Sequence, residues 1–438
     1  MQIKVLLFAI IFSYVLSRRI KQKKSTLIHI SLIQKGQRVQ EIIKSTLDSD
    51  IKISFELSRE VKEQINNQNL LIDHLDRLQY AYQIVYIPLR NQYNAQYFGK
   101  IQLGQQEQTF ELLFDTGSSY TWVASNDCNT CQKAGVKNFF NCETSQSCSY
   151  LNKKIKLQYG KGKAVAQFMV ENLKIGQLLI QNQTMLLLDE LTELKKFEGD
   201  GLAGLGFDTL SDGYPTIIDN LFIQNLIDKK EFSIYLTEHQ NSEDKQSKLI
   251  IGGKLDNLGD YNNDQWHYCD VINKNYWAIL GDYVSFVSKD GKIRRSLKSI
   301  KPVHYVQDDK SDILFTSLFV IDSGTSLIVL YKKDHERLIE YLKDFGIECF
   351  DSEQYQGISE CDQSNIDDYP NFEISLCGKQ FIIPPEKYLL CSFFQCYLMI
   401  APFDQRVSIL GDLFIREYYT HFIQETPRKI GFIKATQD

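Results

Sequence analysis

A mainly β protein, built as two pseudo-symmetric lobes with a cleft between them, is what this sequence predicts. Three observations carry that prediction. From about Val85 onward the chain reads as short alternating runs broken by Gly and polar turns, an Asp-centred motif occurs twice, and each copy is followed at one fixed distance by two apolar residues and a Gly. Runs such as Tyr97-Phe98-Gly99-Lys100-Ile101-Gln102-Leu103-Gly104 and Thr109 to Phe114 have the period of half-buried strands. Phe114-Asp115-Thr116-Gly117-Ser118-Ser119 recurs as Ile321-Asp322-Ser323-Gly324-Thr325-Ser326. The first copy is matched by Leu202-Ala203-Gly204 and the second by Ile409-Leu410-Gly411, with 89 positions from Asp to Gly in both, so two related lobes are implied. Average composition produces one such five-residue pattern in roughly one chain in a few hundred, and two in on the order of one in 10⁵.

Taken in order, Met1-Gln2-Ile3-Lys4 and the apolar run from Val5 to about Ser17 have the layout of a secretory signal, assigned to 1–17. The run is shorter than the roughly 20 residues of a membrane span, although Arg18, Arg19, Lys21, Lys23 and Lys24 behind it leave a signal anchor as the alternative. No other stretch is apolar enough to span a bilayer. Residues 18–85 form a leader; up to Gln83 it holds 12 Lys and Arg against 8 Asp and Glu, a charge of +4, with helices expected over Ile28 to Leu47 and Leu57 to Tyr82. The whole chain carries -6, so with Lys4 also set aside the remainder is near -11. A basic leader docks on an acidic body while the body's carboxylates are ionised; the alternative is a helical domain of its own. The lobes are assigned to 86–255 and 256–438, with helices at Pro215 to Asp228 and at Asp334 to Phe345, the latter closed by Gly346.

At 438 residues and 43% hydrophobic content the chain buries a full core. Its charges of both signs are mixed, which excludes the concentrated basic face of a nucleic-acid binder. Ten Cys behind a signal imply an oxidising compartment and disulfides. Cys128 and Cys131 have C-x-x-C spacing, which a reducing compartment could use for zinc or redox chemistry, but no His-rich partner follows. Asn182-Gln183-Thr184 is a glycosylation sequon.

Each Asp-[Thr/Ser]-Gly places a carboxylate at a sharp turn where Gly permits close backbone approach and the hydroxyl braces the loop. Two facing lobes would bring the carboxylates to about 3 Å, where both cannot ionise. The ionised one would take a proton from a bound water while the protonated one polarises a carbonyl, a hydrolysis needing no metal, cofactor or covalent intermediate.

From about Ile87 to the C-terminus the sequence resembles the pepsin-like aspartic proteases, the group of pepsin, cathepsin D and renin. The resemblance rests on the two Asp motifs, Tyr97-Phe98-Gly99, Trp122 seven residues after Asp115, Tyr159-Gly160-Lys161-Gly162, Tyr276-Trp277, and Ile409 to Tyr419 with Ile430-Gly431-Phe432 beyond. It implies that Asp115 and Asp322 are catalytic, that Ser118 and Thr325 bind their outer oxygens, and that Thr116 and Ser323 brace the loops. Gly117 and Gly324 would present backbone to substrate, Tyr159 would close over it from a flap supported by Trp122, and Leu113 and Leu202 would line side-chain pockets. Peptides or proteins are the implied substrates, lying extended across the cleft, and the leader is the implied intramolecular inhibitor of a zymogen. A monomer of the secretory pathway, extracellular or lysosomal/vacuolar, is expected. A catalytically silent peptide-binding relative is the alternative, although both Asp, both hydroxyls and the flap Tyr are in place. By family position Cys361 would pair with Cys396, and Cys128, Cys131, Cys142 and Cys148 among themselves. The chain departs from the pattern at Lys161, where a small hydroxyl residue is frequent, at Gly199, where a pocket aromatic is common, and in four Cys after Asp115 where pepsin has two.

Overall fold

The computed structural model describes residues 27–29, 52–54, 84–158, 162–192, 197–238, 246–261, 264–298, 318–353, 355, 357–362, 365–391 and 395–436. The chain divides into two compact units, Met1–Gln83 with Asn225–Asp228, and Ile84–Gln224 with Lys229–Asp438. In the first, Leu27–His29 and Lys52–Ser54 pair as parallel strands. The helix expected from Ile28 therefore does not begin there. Non-local pairing by the β-branched stretch around Ile28 wins over its helical periodicity. The rest of that helix, the helix over Leu57 to Tyr82 and the signal at 1–17 lie outside the described residues.

The second unit is built on strands because its alternating sequence demands it. The largest sheet runs, in spatial order, through His267–Asp270, Lys429–Lys434, Tyr418–Ile423, Glu231–Tyr235, Lys248–Ile251, Val85–Gln92, Gln96–Leu103, Gln108–Asp115, Gly201–Gly204, Trp122–Ala124, Leu178–Thr192, Lys163–Ile175 and Ser149–Gln158. A second sheet runs through Lys379–Ile383, Asn371–Leu376, Ala278–Val287, Leu318–Ile321, Ser408–Leu410, Ile328–Tyr331 and Ile400–Phe403. A third holds Cys349–Asp351, Ser359–Cys361, Cys396–Leu398 and Leu389–Cys391. Strands from both halves of the sequence meet in the first sheet, where Glu231–Tyr235 lies against Tyr418–Ile423.

The 89-residue spacing now has a structural meaning. Leu202 pairs in parallel with Leu113 and Gly204 with Asp115, while Ile409 pairs in parallel with Val320 and Leu410 with Ile321. In each lobe the returning strand lies between the Asp strand and the strand after the Asp loop, to which it is antiparallel. Each copy therefore surrounds its own Asp loop in the same way. A Gly ends the first returning strand and directly follows the second, for a steric reason. A Cβ on Gly204 would lie 2.4 Å from the Ser119 backbone and one on Gly411 2.0 Å from Thr325 O, distances no side chain tolerates.

The two expected helices have different bounds from those read in sequence. The first spans Ile217–Ile223, because Thr216 is its N-cap in a capping box with Asp219, which leaves Pro215 outside. The second begins earlier, at Lys332–Leu342, continues as a 3₁₀ turn over Lys343–Phe345 and ends at Gly346 with φ 75°.

Candidate active site

Asp115 closes the strand Gln108–Asp115, and Asp322 follows the strand Leu318–Ile321. The two loops interlock through a pair of buried hydroxyls. Thr116 Oγ1 donates to Ile321 O at 2.8 Å and accepts from the Ser323 N–H at 2.9 Å. Reciprocally, Ser323 Oγ donates to Phe114 O at 2.7 Å and accepts from the Thr116 N–H at 3.1 Å. The carboxyls are held in matching frames. Gly117 N–H donates to Asp115 Oδ1 and Gly324 N–H to Asp322 Oδ1, each at 2.8 Å. The outer oxygens accept from Ser118 Oγ on Asp115 and from Thr325 Oγ1 on Asp322, the latter at 2.7 Å.

How near the loops come is read from their glycines. A Cβ on Gly117 would lie 2.5 Å from Asp322 Oδ1, and one on Gly324 would lie 2.4 Å from Asp115 Oδ1. Each glycine is thus demanded by the carboxyl of the opposite lobe. Burial, and next the charge of Asp322, push the Asp115 carboxyl well above the usual carboxylate range, against the opposing hydrogen bonds from Ser118 and Gly117. A hydrogen bond between the two side chains works in the same upward direction. The site therefore retains a proton where isolated carboxylates would have lost theirs, the condition for one group to act as acid and its neighbour as base.

Of the other residues singled out in sequence, Trp122, Leu113 and Leu202 share one buried cluster with Phe98, Phe168 and Phe197. Leu113 and Leu202 are 8% and 6% exposed and face each other across neighbouring strands. Tyr159 and Lys161 lie outside the described residues. Gly199 is explained by its surroundings: a Cβ there would lie 2.3 Å from the Phe98 ring, which packs edge-on against Phe197. The Phe98 ring thus occupies the space that a side chain at 199 would need.

Five disulfides occur among the described residues: Cys128–Cys131, Cys142–Cys148, Cys269–Cys377, Cys349–Cys361 and Cys391–Cys396. The expected pairing of Cys361 with Cys396 is corrected. Those two residues do lie opposite each other on neighbouring strands. Each, however, also faces a cysteine on its outer side, and the bridges close outward to Cys349 and Cys391.

Sequence reasoning missed Asp412. It begins the helix Asp412–Glu417, is 1% exposed, and its N–H donates to Thr325 O at 2.7 Å. Burial pushes its carboxyl well above the usual range, with Arg416 opposing and the charges of Asp322 and Asp115 adding to the rise. The available signal was a lone Asp inside an apolar run after Gly411, where a buried acid stands out. Trp277 was noted only as a motif residue. Its Nε1 donates to Leu205 O at 2.9 Å and its carbonyl accepts from the Ile321 N–H, so it ties the first Asp loop's backing to the second Asp strand. Among the described residues no cluster of His, Cys, Asp and Glu is arranged to hold a metal ion, and no helix is long and apolar enough to cross a membrane.

Two repeated β lobes, each presenting one Asp loop to the other, make this the bilobal pepsin-like fold. The family model described as eukaryotic aspartyl protease matches residues 96–435, and the chain belongs to that family. It is similar to pepsin A of Gallus gallus, 28% identical over 402 residues covering 87% of this chain and 98% of the relative. Gastricsin of Cavia porcellus is 27% identical over 414 residues, 88% of this chain and 96% of its own. Cathepsin E of Aquarana catesbeiana is 27% identical over 362 residues, 79% and 81% respectively.

Proposed function

We propose that this chain is an aspartic endopeptidase, made as a zymogen of the secretory pathway and active in acid. The observation that carries the reading is the pair Asp115 and Asp322, held in mirrored frames on loops close enough for each to bar a side chain from the other's glycine, with Asp115 driven toward its protonated form. In the cycle that follows from this geometry, the ionised carboxyl takes a proton from a water lying between the two. The protonated one donates to the oxygen of the scissile carbonyl, and the tetrahedral product collapses as the leaving amine takes a proton back. Ser118 and Thr325 keep the outer oxygens occupied, which leaves the inner ones for water and substrate. Gly117 and Gly324 offer backbone to an extended peptide, and Tyr159 closes over it.

The leader reading is supported by charge. A stretch of +4 ahead of a body near -11 is attracted while carboxylates are ionised and released as they protonate. Five disulfides suit an oxidising route, extracellular or lysosomal. The test is to purify the full chain near neutral pH, shift it to about pH 4, and follow hydrolysis of denatured haemoglobin with and without a statine transition-state inhibitor. Onset of inhibitor-sensitive cleavage, together with loss of the leader before about Pro88, supports the proposal. Full activity of the intact chain at neutral pH overturns the zymogen reading, and no cleavage in acid overturns the enzymatic one.

A further inference from the structure

We propose that the small four-stranded sheet is a thiol–disulfide exchange site, entered by a small external thiol at Cys391, which moves the bridging from the two edges of the sheet to its centre. Four of the ten cysteines stand in one row across this sheet. Cys349 is opposite Cys361, Cys361 opposite Cys396, and Cys396 opposite Cys391. Directly opposed residues share a face of the pleat, so the four sulfurs lie side by side. Each central cysteine therefore has two cysteine neighbours and is bonded to the outer one.

The central pair has the spacing for a bridge of its own. Asp362 N–H donates to Glu348 O at 2.9 Å, which makes the adjoining Cys349/Cys361 pair the non-hydrogen-bonded kind, and its Cα atoms are 4.0 Å apart. Cys361 must then turn its N–H and C=O to the other side, so that Cys361 and Cys396 form a hydrogen-bonded pair, about 5.5 Å between Cα atoms. That is within the separation disulfides usually span.

Access is graded along the row. Cys391 is exposed and Cys349 partly so, while Cys361 and Cys396 are fully buried. An external thiolate reaches the Cys391 sulfur first, forms a mixed disulfide there and expels the Cys396 thiolate. Cys396, shielded from solvent and next to Cys361, attacks the Cys361 sulfur, and a Cys361–Cys396 bond forms as Cys349 leaves and takes a proton. A second external thiol displaces the first from Cys391. In sum two thiols become one external disulfide, and two protein bridges become one bridge with thiols at Cys349 and Cys391. None of the other three bridges has a further cysteine directly across a strand from it. They can be reduced but have no neighbour to relay to.

The test uses the full chain, folded and oxidised, with glutathione as the probe at mildly alkaline pH, followed by acid quench, alkylation and peptide mapping without reduction. Alkyl label in equal amounts on Cys349 and Cys391, a new Cys361–Cys396 cross-link and intact Cys128–Cys131, Cys142–Cys148 and Cys269–Cys377 bridges are expected. Label on Cys391 and Cys396 with Cys349–Cys361 intact overturns the relay, as does reduction of the other bridges first. Cys391→Ser gives a second reading without any added thiol. Its one free thiol is expected on Cys349, and finding it on Cys396 overturns the proposal. Should that variant not fold, the glutathione experiment on the unaltered chain decides alone.

Discussion

Replacing Thr116 with Val removes one hydroxyl and nothing else of size from a position with no solvent exposure. Two backbone groups lose their partner at once, the Ser323 N–H at 2.9 Å and the Ile321 carbonyl at 2.8 Å. A buried polar group left unpaired costs about 1–3 kcal/mol, so Thr116→Val is expected to cost about 2–6 kcal/mol. Solvent-exposed ion pairs such as Lys153–Asp212 contribute little by comparison, because water screens them. Ser323→Ala strands the Thr116 N–H and the Phe114 carbonyl in the same way. The hydroxyls hold the same two loops together, so losing one lets the loops part and weakens what the other still holds. The double variant is therefore expected to cost less than the sum of the singles, with a coupling of about 0.5–3 kcal/mol. Guanidinium unfolding of the four proteins at one pH, followed by the fluorescence of buried Trp122 and Trp277, measures the cycle. A Thr116→Val cost below about 1 kcal/mol, or strictly additive singles, refutes the interlocked-loop account.

Gly324→Ala puts a methyl where Asp115 Oδ1 now sits, 2.4 Å away, so a folded variant with turnover reduced by about 10²-fold or more is expected from haemoglobin cleavage and circular dichroism together. Asp412→Asn tests the buried acids through pH. The folded-state pKa values of Asp115 and Asp412 are both raised above the ordinary 3.8. The stability they contribute is present below that value and is lost as pH rises through the folded values. Removing one of the two groups should make the fall of melting temperature above about pH 4 shallower; an unchanged or steeper fall contradicts the assignment.

What could be read from sequence was whatever backbone geometry forces on residue type. Gly117, Gly204, Gly324 and Gly411 are needed where chain meets chain or carboxyl, and so the repeat was visible before any coordinates. Local caps were only partly legible. Pro215 looks like a first-turn residue until the Thr216–Asp219 capping box is seen to start the helix behind it. Register was not legible at all. Spacing cannot say that Cys361 faces two cysteines, because strand pairing fixes this through turns far apart in the chain. The same holds for Asp412, whose nearness to both Asp loops depends on the returning strand Ser408–Leu410. Leu113 and Leu202 read equally well as pocket or core residues, since a strand alternates its faces in either case; in the structure they are core residues with slight exposure.

The proposed function rests on hydrolysis by two carboxyls that share a proton. It is tested most directly by kcat/KM for denatured haemoglobin at about pH 4 with Asp115→Asn and Asp322→Asn, each verified as folded. Asn keeps the shape of the side chain and one oxygen to accept from the Gly117 or Gly324 N–H, but can neither take the proton from water nor pass one to the substrate. Each substitution alone is expected to lower kcat/KM by about 10³-fold or more, and the double variant little further because the pair acts as a unit. Either single variant retaining activity within about tenfold of the unaltered enzyme contradicts the account.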